Sequence, residues 1–153
     1  MAATTYISHI MEHFAALGAV VNAALEADGL APLKDWFKAT PAGTLRTANL
    51  PYAFYDLVDR ELVDLPVQAL GQGDFELVVL VSVVIDGSST SEVLDRLSWY
   101  APQIAGAIEG EPFEYDLMAT ELLPGEQVGP QGRVRFFGIP FLVKGTRQWG
   151  GVL

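Results

Sequence analysis

The chain has 153 residues, no cysteine, and an excess of acids over bases that gives a formal net charge of −10. This composition excludes disulfides and thiolate metal sites, and the negative charge disfavours tight binding to the phosphates of a nucleic acid. We expect one domain in a cytosolic or assembled-particle setting, without a signal peptide. The longest apolar run, Leu77 to Ile85, is too short to span a bilayer.

The N-terminal segment from Thr5 to Asp28 is predicted to form one long amphipathic helix. Its apolar residues recur at the three- and four-residue spacing of a helix face, and Gly29 is placed to end it. Gly18 weakens the middle of this helix, since glycine is a poor helix former. The residues from Leu30 to Leu50 mix apolar side chains with prolines and glycine, which predicts a packed loop, with or without a short strand.

A strand is predicted over Leu50–Leu57, where aromatic residues alternate with smaller ones and a proline stands near the start. The acidic run Asp56, Asp59, Glu61 and Asp64 is interpreted as a solvated loop or turn. Gly71-Gln72-Gly73 precedes a strand, whereas a phosphate-binding loop requires glycines between a strand and a helix. We therefore predict a turn there and no nucleotide site.

The centre of the chain is predicted to form a strand, a turn, a helix and a second strand. Residues Phe75–Ile85 are apolar on one alternate set and mostly apolar on the other, which indicates a central strand covered on both faces. Ser89 and Glu92 form a capping box, so a helix begins here. Pro102 predicts a kink or a break in that helix. A strand with one wet face follows over Phe113–Leu117.

The last quarter of the chain is predicted to contain an exposed loop, one strand and a terminal arm. Turn formers crowd Leu123–Gly132, and alternation then marks a strand over Arg133–Lys144 with a bulge at Gly138 and Pro140. Residues 1–145 therefore make a single α+β domain, in which two main helices cover a mostly antiparallel sheet of about four strands. Residues 146–153 form a C-terminal arm.

Motifs for catalysis and metal binding are weak throughout the chain. His9-Ile10-Met11-Glu12-His13 has the H-x-x-E-H spacing of a zinc-protease helix, but Glu26 and Asp28 stand too close to supply its third ligand. Both histidines of the chain lie on this one helix, so a nucleophile triad is hard to assemble. We therefore expect no enzyme activity, no catalytic residue, no metal site and no cofactor.

Positive charge is concentrated near the C-terminal end. Residues 129–153 contain four basic residues and no acid, whereas residues 1–128 hold the other five basic residues and all 19 acids, a sum of −14. Either the basic end pairs with acids of its own domain, or it meets the acidic surface of a neighbouring subunit, since complementary charge helps to fix a head-to-tail contact. The candidate subunit-interface residues are Arg133, Arg135, Lys144, Arg147 and Trp149.

The order of elements resembles that of the tail-terminator proteins of long-tailed bacteriophages and related tail-like particles. The likeness extends from Thr5 to Lys144 as an order of elements without an invariant motif, and the long Leu30–Leu50 segment departs from it. The parts that carry the likeness are Leu50-Pro51-Tyr52, the strand Phe75–Ile85 with its Asp86-Gly87 turn, the helix Ser89–Glu109 and the strand Arg133–Lys144.

The resemblance implies a structural subunit of a virion. Such subunits form a ring, expected to be a hexamer, at the head-proximal end of the tail tube, end tail growth and join the tail to the head connector. The implied partners are further copies of the chain, the tail tube protein and the head-connector proteins, while DNA passes through without specific binding. The implied location is the tail or neck of a virion assembled in the host cytoplasm, with no membrane partner.

Two alternatives stay open at the level of sequence. One is another neck or head-tail connector component of the same kind of particle. The other, from a different class, is a small-molecule-binding α+β domain with a pocket between helix and sheet lined by Tyr52, Phe54 and Tyr100. Under the assembly interpretation, the Leu123–Gly132 loop and the arm from Thr146 engage neighbouring subunits.

Overall fold

A computed structural model of the chain describes residues 6–39, 45, 49–58, 72–85, 90–129 and 132–148, which form two helices and six strands. In chain order the elements are α1 (Tyr6–Ala27), β1 (Trp36–Lys38), β2 (Tyr52–Leu57), β3 (Gln72–Ile85), α2 (Thr90–Glu109), β4 (Asp116–Ala119), β5 (Leu123–Gly129) and β6 (Gly132–Gln148). Both helices and the strands β2 and β3 lie where hydrophobic periodicity predicts them, because each buries a face that repeats with the period of the element.

The six strands form one sheet in the order β1-β2-β3-β6-β4, and β5 pairs with the same edge of β6 as β4. Among the described strands, β1 and β2 run parallel and all the other pairs are antiparallel. The pairing of β2 with β3 confirms the predicted partnership of the proline-led strand with the central one. The α+β class and the mostly antiparallel sheet are thus confirmed, with six strands where about four were predicted.

The main core lies between the two helices and one face of the sheet. The sheet contributes the odd-numbered residues of β3 and β6, such as Val81 and Phe141, because successive side chains of a strand point to opposite faces. Over Ile7–Ala27, α1 is also long and apolar enough to cross a membrane by length and composition, and in this fold its apolar stripe faces the sheet. The buried helix residues are Ile10, Phe14, Leu17, Val21, Leu25, Val93, Leu97, Tyr100, Ile104 and Ile108.

The other face of the sheet carries a smaller apolar cluster at one end. Tyr52 and Val84, which are paired across β2 and β3, are buried there. Phe37 of β1 stacks on Tyr52 with 5.9 Å between ring centroids. The residues that pack against this cluster are Phe37, Leu45, Leu50, Phe54 and Phe136.

The exposed loop predicted over Leu123–Gly132 is wrong, because residues 123–129 form β5 and pair with β6 along their whole length. The prolines and glycines of this segment are typical of turns. Pairing with β6, a strand that includes residues distant in sequence, holds the segment in an extended conformation instead. Gly125 lies directly opposite Phe136, and a Cβ at this position would collide with the Phe136 ring. The absence of a side chain at Gly125 therefore leaves space for the Phe136 ring, and this glycine does not mark a turn.

A β-bulge lies on the partner of β6 and not within β6, where it was predicted. The pairing of β6 with β3 continues without an extra residue through Gly138 and Pro140. On the other edge of β6, the registers of β4 and β5 differ by one residue, so that Glu121 and Leu122 together face the single residue Ile139. The extra residue therefore interrupts the edge strand and leaves the central ladder intact.

Pro140 explains why the bulge lies at this point. Two residues of an antiparallel ladder normally exchange two hydrogen bonds, and Pro140 has no N–H to give. Its carbonyl accepts hydrogen bonds from the backbone N–H of Thr120 at 2.9 Å and from the Thr120 hydroxyl at 3.1 Å. Since the nitrogen and carbonyl of a strand residue point to the same side, the missing donor faces the edge where β4 gives way to β5.

The other differences from prediction concern element boundaries. The break predicted at Pro102 is absent, because α2 continues through it with Tyr100 and Ile104 buried on either side. The turn predicted at Gln72 and Gly73 is wrong, since both residues lie in β3. The β3–β6 ladder begins at the pair Gln72↔Gln148, so the first three residues of the predicted arm, 146–148, belong to the sheet.

Several predictions concern residues outside the described part of the chain. The Asp86-Gly87 turn, the Ser89 cap, the acidic residues 59–64 and Trp149 all lie there. Glu92, the other half of the predicted capping box, lies in the first turn of α2.

Candidate interaction surface

The face of the sheet that points away from the helices carries a row of apolar side chains across four strands. Val78 of β3 pairs with Leu142 of β6, and Leu142 pairs with Met118 of β4. Val58, directly after β2, donates its backbone N–H to the carbonyl of Val78 at 3.0 Å, which places it at the other end of the row. We call this row, Val58, Val78, Leu142 and Met118, the sheet stripe.

The sheet stripe is largely uncovered by the described residues. Val58 and Met118 are 59% and 54% exposed, and Val78 and Leu142 between them are partly buried. Leu123 of β5, directly opposite Gly138 on this same face, is a further exposed apolar side chain. An antiparallel sheet with one face in water usually alternates apolar and polar residues, so this composition indicates a surface that another element covers.

A row of charged residues borders the stripe on one side. The next row towards the end of the sheet holds Glu76, Lys144 and Asp116 side by side. The Nζ atom of Lys144 lies 3.5 Å from a carboxylate oxygen of Glu76, and both side chains are more than 40% exposed. The row on the other side begins with Asp56 and continues with the apolar residues Leu80 and Pro140. The stripe is thus bordered by charged residues on one side and by a mostly apolar row on the other.

Two of the predicted interface residues, Arg135 and Lys144, lie on opposite faces of β6. Lys144 makes its ion pair within the domain, as the first interpretation of the charge pattern proposed. Arg135 lies nine residues away on the same uninterrupted strand and therefore points to the opposite face of β6 from Lys144. Arg133 and Arg147 occupy β6 positions opposite Val128 and Gly73, and Trp149 lies outside the described residues.

The H-x-x-E-H residues lie where α1 meets the segment before β4. The Nε2 atom of His9 lies 3.3 Å from a carboxylate oxygen of Glu114, and the His13 ring stacks on Phe113 with 4.0 Å between centroids. Burial lowers the pKa of His13 from its usual 6.5, with a further lowering from His9 and an opposing effect of Glu111. Within the described ranges, no group of three or more His, Asp or Glu side chains could hold a metal ion.

The small-molecule pocket predicted from Tyr52, Phe54 and Tyr100 is wrong. Tyr52 and Phe54 belong to the cluster on the open face of the sheet, whereas Tyr100 packs in the core on the helix side. The Tyr100 hydroxyl donates a hydrogen bond to the carbonyl of Ala31 at 2.8 Å. The sheet itself separates Tyr100 from Tyr52 and Phe54.

A shallow cleft of about 200 Å³ lies on the helix side, between α2 and the bulge. Its volume is below the roughly 300–1,000 Å³ of small-molecule sites, so it does not favour a binding pocket for a small ligand. The residues that line it are Ala101, Pro102, Ala105, Ala119, Thr120, Glu121, Leu122 and Ile139.

The sequence indicated one member of the sheet stripe, Val78, as an apolar residue on the second face of a strand. Val78 belongs to the second alternate set of β3, whose apolar character predicted a strand covered on both faces. Among the described residues, only the end of that face near Tyr52 is covered. Val58, Leu142 and Met118 gave no signal, because each becomes part of the row only through pairing with a distant strand.

The fold and the stripe together define a class, a two-layer α+β domain whose sheet is apolar on its uncovered face. No family model matches the chain, and no curated protein matches it. Among solved structures, the chain is similar to a chain of the virion of a native gene transfer agent particle. The similarity covers 88% of this chain and 90% of that chain, with a TM-score of 0.42 and 15% sequence identity.

Proposed function

We propose that this protein is a structural subunit of a phage-like particle, and specifically a tail terminator that forms a ring at the head-proximal end of the tail tube. The observation that carries the proposal is the sheet stripe, an apolar surface that the described parts of the chain leave open. Covering the exposed halves of Val58 and Met118 is worth about 2–3 kcal/mol at ordinary transfer energies. In an assembly, neighbouring subunits cover these side chains, and the contact is stabilised by this free energy.

The resemblance of the element order to tail terminators gives the proposal its particular form. In this role the ring ends the growth of the tail tube and joins the tail to the head connector. Its partners are further copies of the chain, the tube protein and the connector proteins, and its location is the tail or neck of a particle assembled in the host cytoplasm. We include in the proposal that the protein has no enzymatic activity.

The charge of the chain supports a channel that DNA passes without being held. A ring of subunits with a net charge of −10 each repels phosphates on average. The basic residues near the C-terminal end contribute less to this proposal than the stripe does, because Lys144 already pairs with Glu76 of its own chain. We keep Arg133 and Arg135 in the proposal as predicted residues of the subunit interface.

Negative-stain electron microscopy paired with light scattering tests the proposal on the purified chain. Closed rings of uniform diameter support it, and a hexamer of this 16.5 kDa chain has a mass of about 99 kDa. Added to polymerising tube protein of the same particle, the rings should stop growth and appear at one end of each tube. Charge reversal at Arg133 and Arg135 then shows whether the basic residues contribute.

Three other results would redirect the assignment. Rings that bind connector proteins but leave tube growth unchanged would indicate another neck component. Open filaments would mean that the contact does not close. A strict monomer, both alone and with tube protein, together with a reproducible thermal-shift response to a small molecule, would favour the binding-domain alternative.

A further inference from the structure

Residues 110–115 join α2 to the edge strand β4 and lie against the first half of α1. We call this segment the linker. The backbone N–H of Glu111 donates to a carbonyl in the last turn of α2 at 3.3 Å, and the proline that follows has no N–H to give. Beyond this point, the described contacts with α1 come from the side chains of Phe113, Glu114 and Tyr115.

His13 is at the centre of the contact between α1 and the linker. Its ring stacks on Phe113 with 4.0 Å between centroids and lies edge-on to Phe14, 6.0 Å away. The Nε2 atom of His13 is buried and has no hydrogen-bond partner among the described residues. In a neutral imidazole one nitrogen carries no proton, whereas a protonated ring has a donor on both nitrogens. A proton at this Nε2 would therefore be a buried charge without a partner, which is costly.

The titratable groups around His13 do not supply the missing partner. His9 lies one helical turn earlier on the same face of α1, so two protonated rings would repel each other. Burial and the charge of His9 lower the pKa of His13 below its usual 6.5, and Glu111 of the linker opposes them. Glu114 contacts His9 instead, with 3.3 Å between a carboxylate oxygen and Nε2, and the Tyr115 ring also faces His9. The described surroundings thus favour a neutral His13.

We propose that the stack of His13 on Phe113 is a pH-sensitive latch, which holds the linker on α1 while His13 is neutral and releases it when His13 is protonated. Release exposes Nε2 to water, and water supplies the acceptor that the closed arrangement lacks. His9 opposes the release, because a protonated His9 gains an ion pair with Glu114. The latch goes beyond the proposed function and does not depend on it, since all of its contacts lie within one chain.

Release of the linker acts on β4, the strand that follows it directly. The pairing of β4 with β6 extends over four residues, 116–119. The backbone N–H of Ala119 donates to a carboxylate oxygen of Glu109, the last residue of α2, at 2.5 Å. Elements with few buried contacts open locally at a lower free energy than the whole domain does. We therefore expect β4 to open with the linker, while β3, which lies between β2 and β6, stays closed.

The size of the effect follows from proton linkage. In the released state the imidazole is in water, where histidine titrates near pH 6.5, and in the closed state the pKa of His13 is lower. Between these two values the released state binds one more proton. The ratio of released to closed chains should therefore rise by up to about tenfold for each unit by which the pH falls. Above this range neither state binds the proton, so the ratio should be constant.

Amide hydrogen exchange of the full chain, followed by NMR in low concentrations of urea, tests the latch. Exchange rates corrected for the intrinsic pH dependence of amides give opening constants, and roughly pH 5.5–7.5 avoids the range near pH 4 in which carboxylates ordinarily titrate. The amides of β4 report on the latch, and those of the buried β3 residues Val79, Val81 and Val83 report on global unfolding. Release exposes little surface, so the opening constants of β4 should be insensitive to urea, whereas those of β3 should rise with it.

In the natural chain, the urea-insensitive opening constant of β4 should rise by up to about tenfold per pH unit below pH 6.5. His13→Phe keeps an aromatic ring next to Phe113 and His13→Gln keeps a polar side chain, but neither replacement titrates. Both variants should therefore lose this rise. His9→Phe, the matched change one helical turn earlier, should retain it, because His13 is still present.

Three results would overturn the inference. If exchange in β4 rises with urea as steeply as exchange in β3, the linker opens only when the whole domain unfolds, and there is no latch. A rise of equal size in the two His13 variants would assign the pH response to other groups. Opening constants of β4 that stay constant below pH 6.5 would mean that protonation of His13 does not release the linker.

Discussion

Replacing Gly18 with alanine tests how α1 packs on β1. Gly18 lies in the middle of α1, where helix propensity alone predicts that alanine stabilises the protein by about 1 kcal/mol. The structure predicts the opposite result, because an added Cβ would lie 2.8 Å from Cγ of Trp36 and 3.0 Å from its Cβ. Real Cβ atoms do not approach other carbons so closely, so the indole would have to move.

Trp36 is held in place by two interactions. Its indole N–H donates a hydrogen bond to the carbonyl of Phe14 at 2.8 Å, and its ring lies 5.7 Å from the Tyr55 ring. Overpacking costs about 1–3 kcal/mol, and losing the indole hydrogen bond adds about 1 kcal/mol. After about 1 kcal/mol of gained helix propensity is subtracted, Gly18→Ala should destabilise the protein by about 1–3 kcal/mol and lower Tm by roughly 3–10 °C.

Urea unfolding followed by circular dichroism measures this change, and Gly106→Ala is the matched control. Gly106 lies inside α2 and has no neighbour within 4 Å of the added Cβ, so its replacement should stabilise the protein by up to about 1 kcal/mol. In a Trp36→Leu background, Gly18→Ala should lose most of its penalty. Equal stabilisation by the two alanine variants of the natural chain would refute the reasoning.

Three further predictions concern single contacts. Asn22 exchanges hydrogen bonds of 2.8 and 3.1 Å with the backbone of Leu33, so Asn22→Ala should lower the free energy of unfolding by about 1–3 kcal/mol. Tyr100→Phe removes the hydrogen bond to Ala31 and should cost about 0.5–1.5 kcal/mol in the same urea assay; no change in midpoint would mean that this bond contributes nothing. Burial lowers the pKa of His13 in the folded state, so the unfolded state binds more protons as the pH falls through 6.5. The natural chain should therefore lose stability on acidification that His13→Phe retains, and parallel Tm profiles of the two proteins would contradict this.

Local sequence was sufficient for the helices and for the central strand. Residues such as Ile10 and Phe14 repeat at helical spacing over α1, and the alternation of Val79 and Val81 marks the buried face of β3. The α+β class followed from the order of these elements. In each case the signal came from residues a few positions apart, which share a face through the geometry of their own element.

Predictions from local sequence were wrong where the role of a residue depends on a partner that is distant in sequence. Gly125 looked like a turn former and is a strand residue that accommodates Phe136. Pro140 suggested a bulge in its own strand, and the bulge lies in the strand opposite, facing its missing N–H. Gly18 was expected only to weaken α1, and in the structure it is the position at which α1 packs closely against Trp36.

The candidate interaction surface depended on tertiary structure almost entirely. Val58, Val78, Met118 and Leu142 are spread over more than half of the chain, and they form one row only because β2, β3, β6 and β4 pair in that order and register. The sequence by itself determined which residues are apolar and which local element each belongs to. Strand order and register depend on contacts between distant segments, so only the folded chain decided which apolar residues entered the core and which remained on an open face.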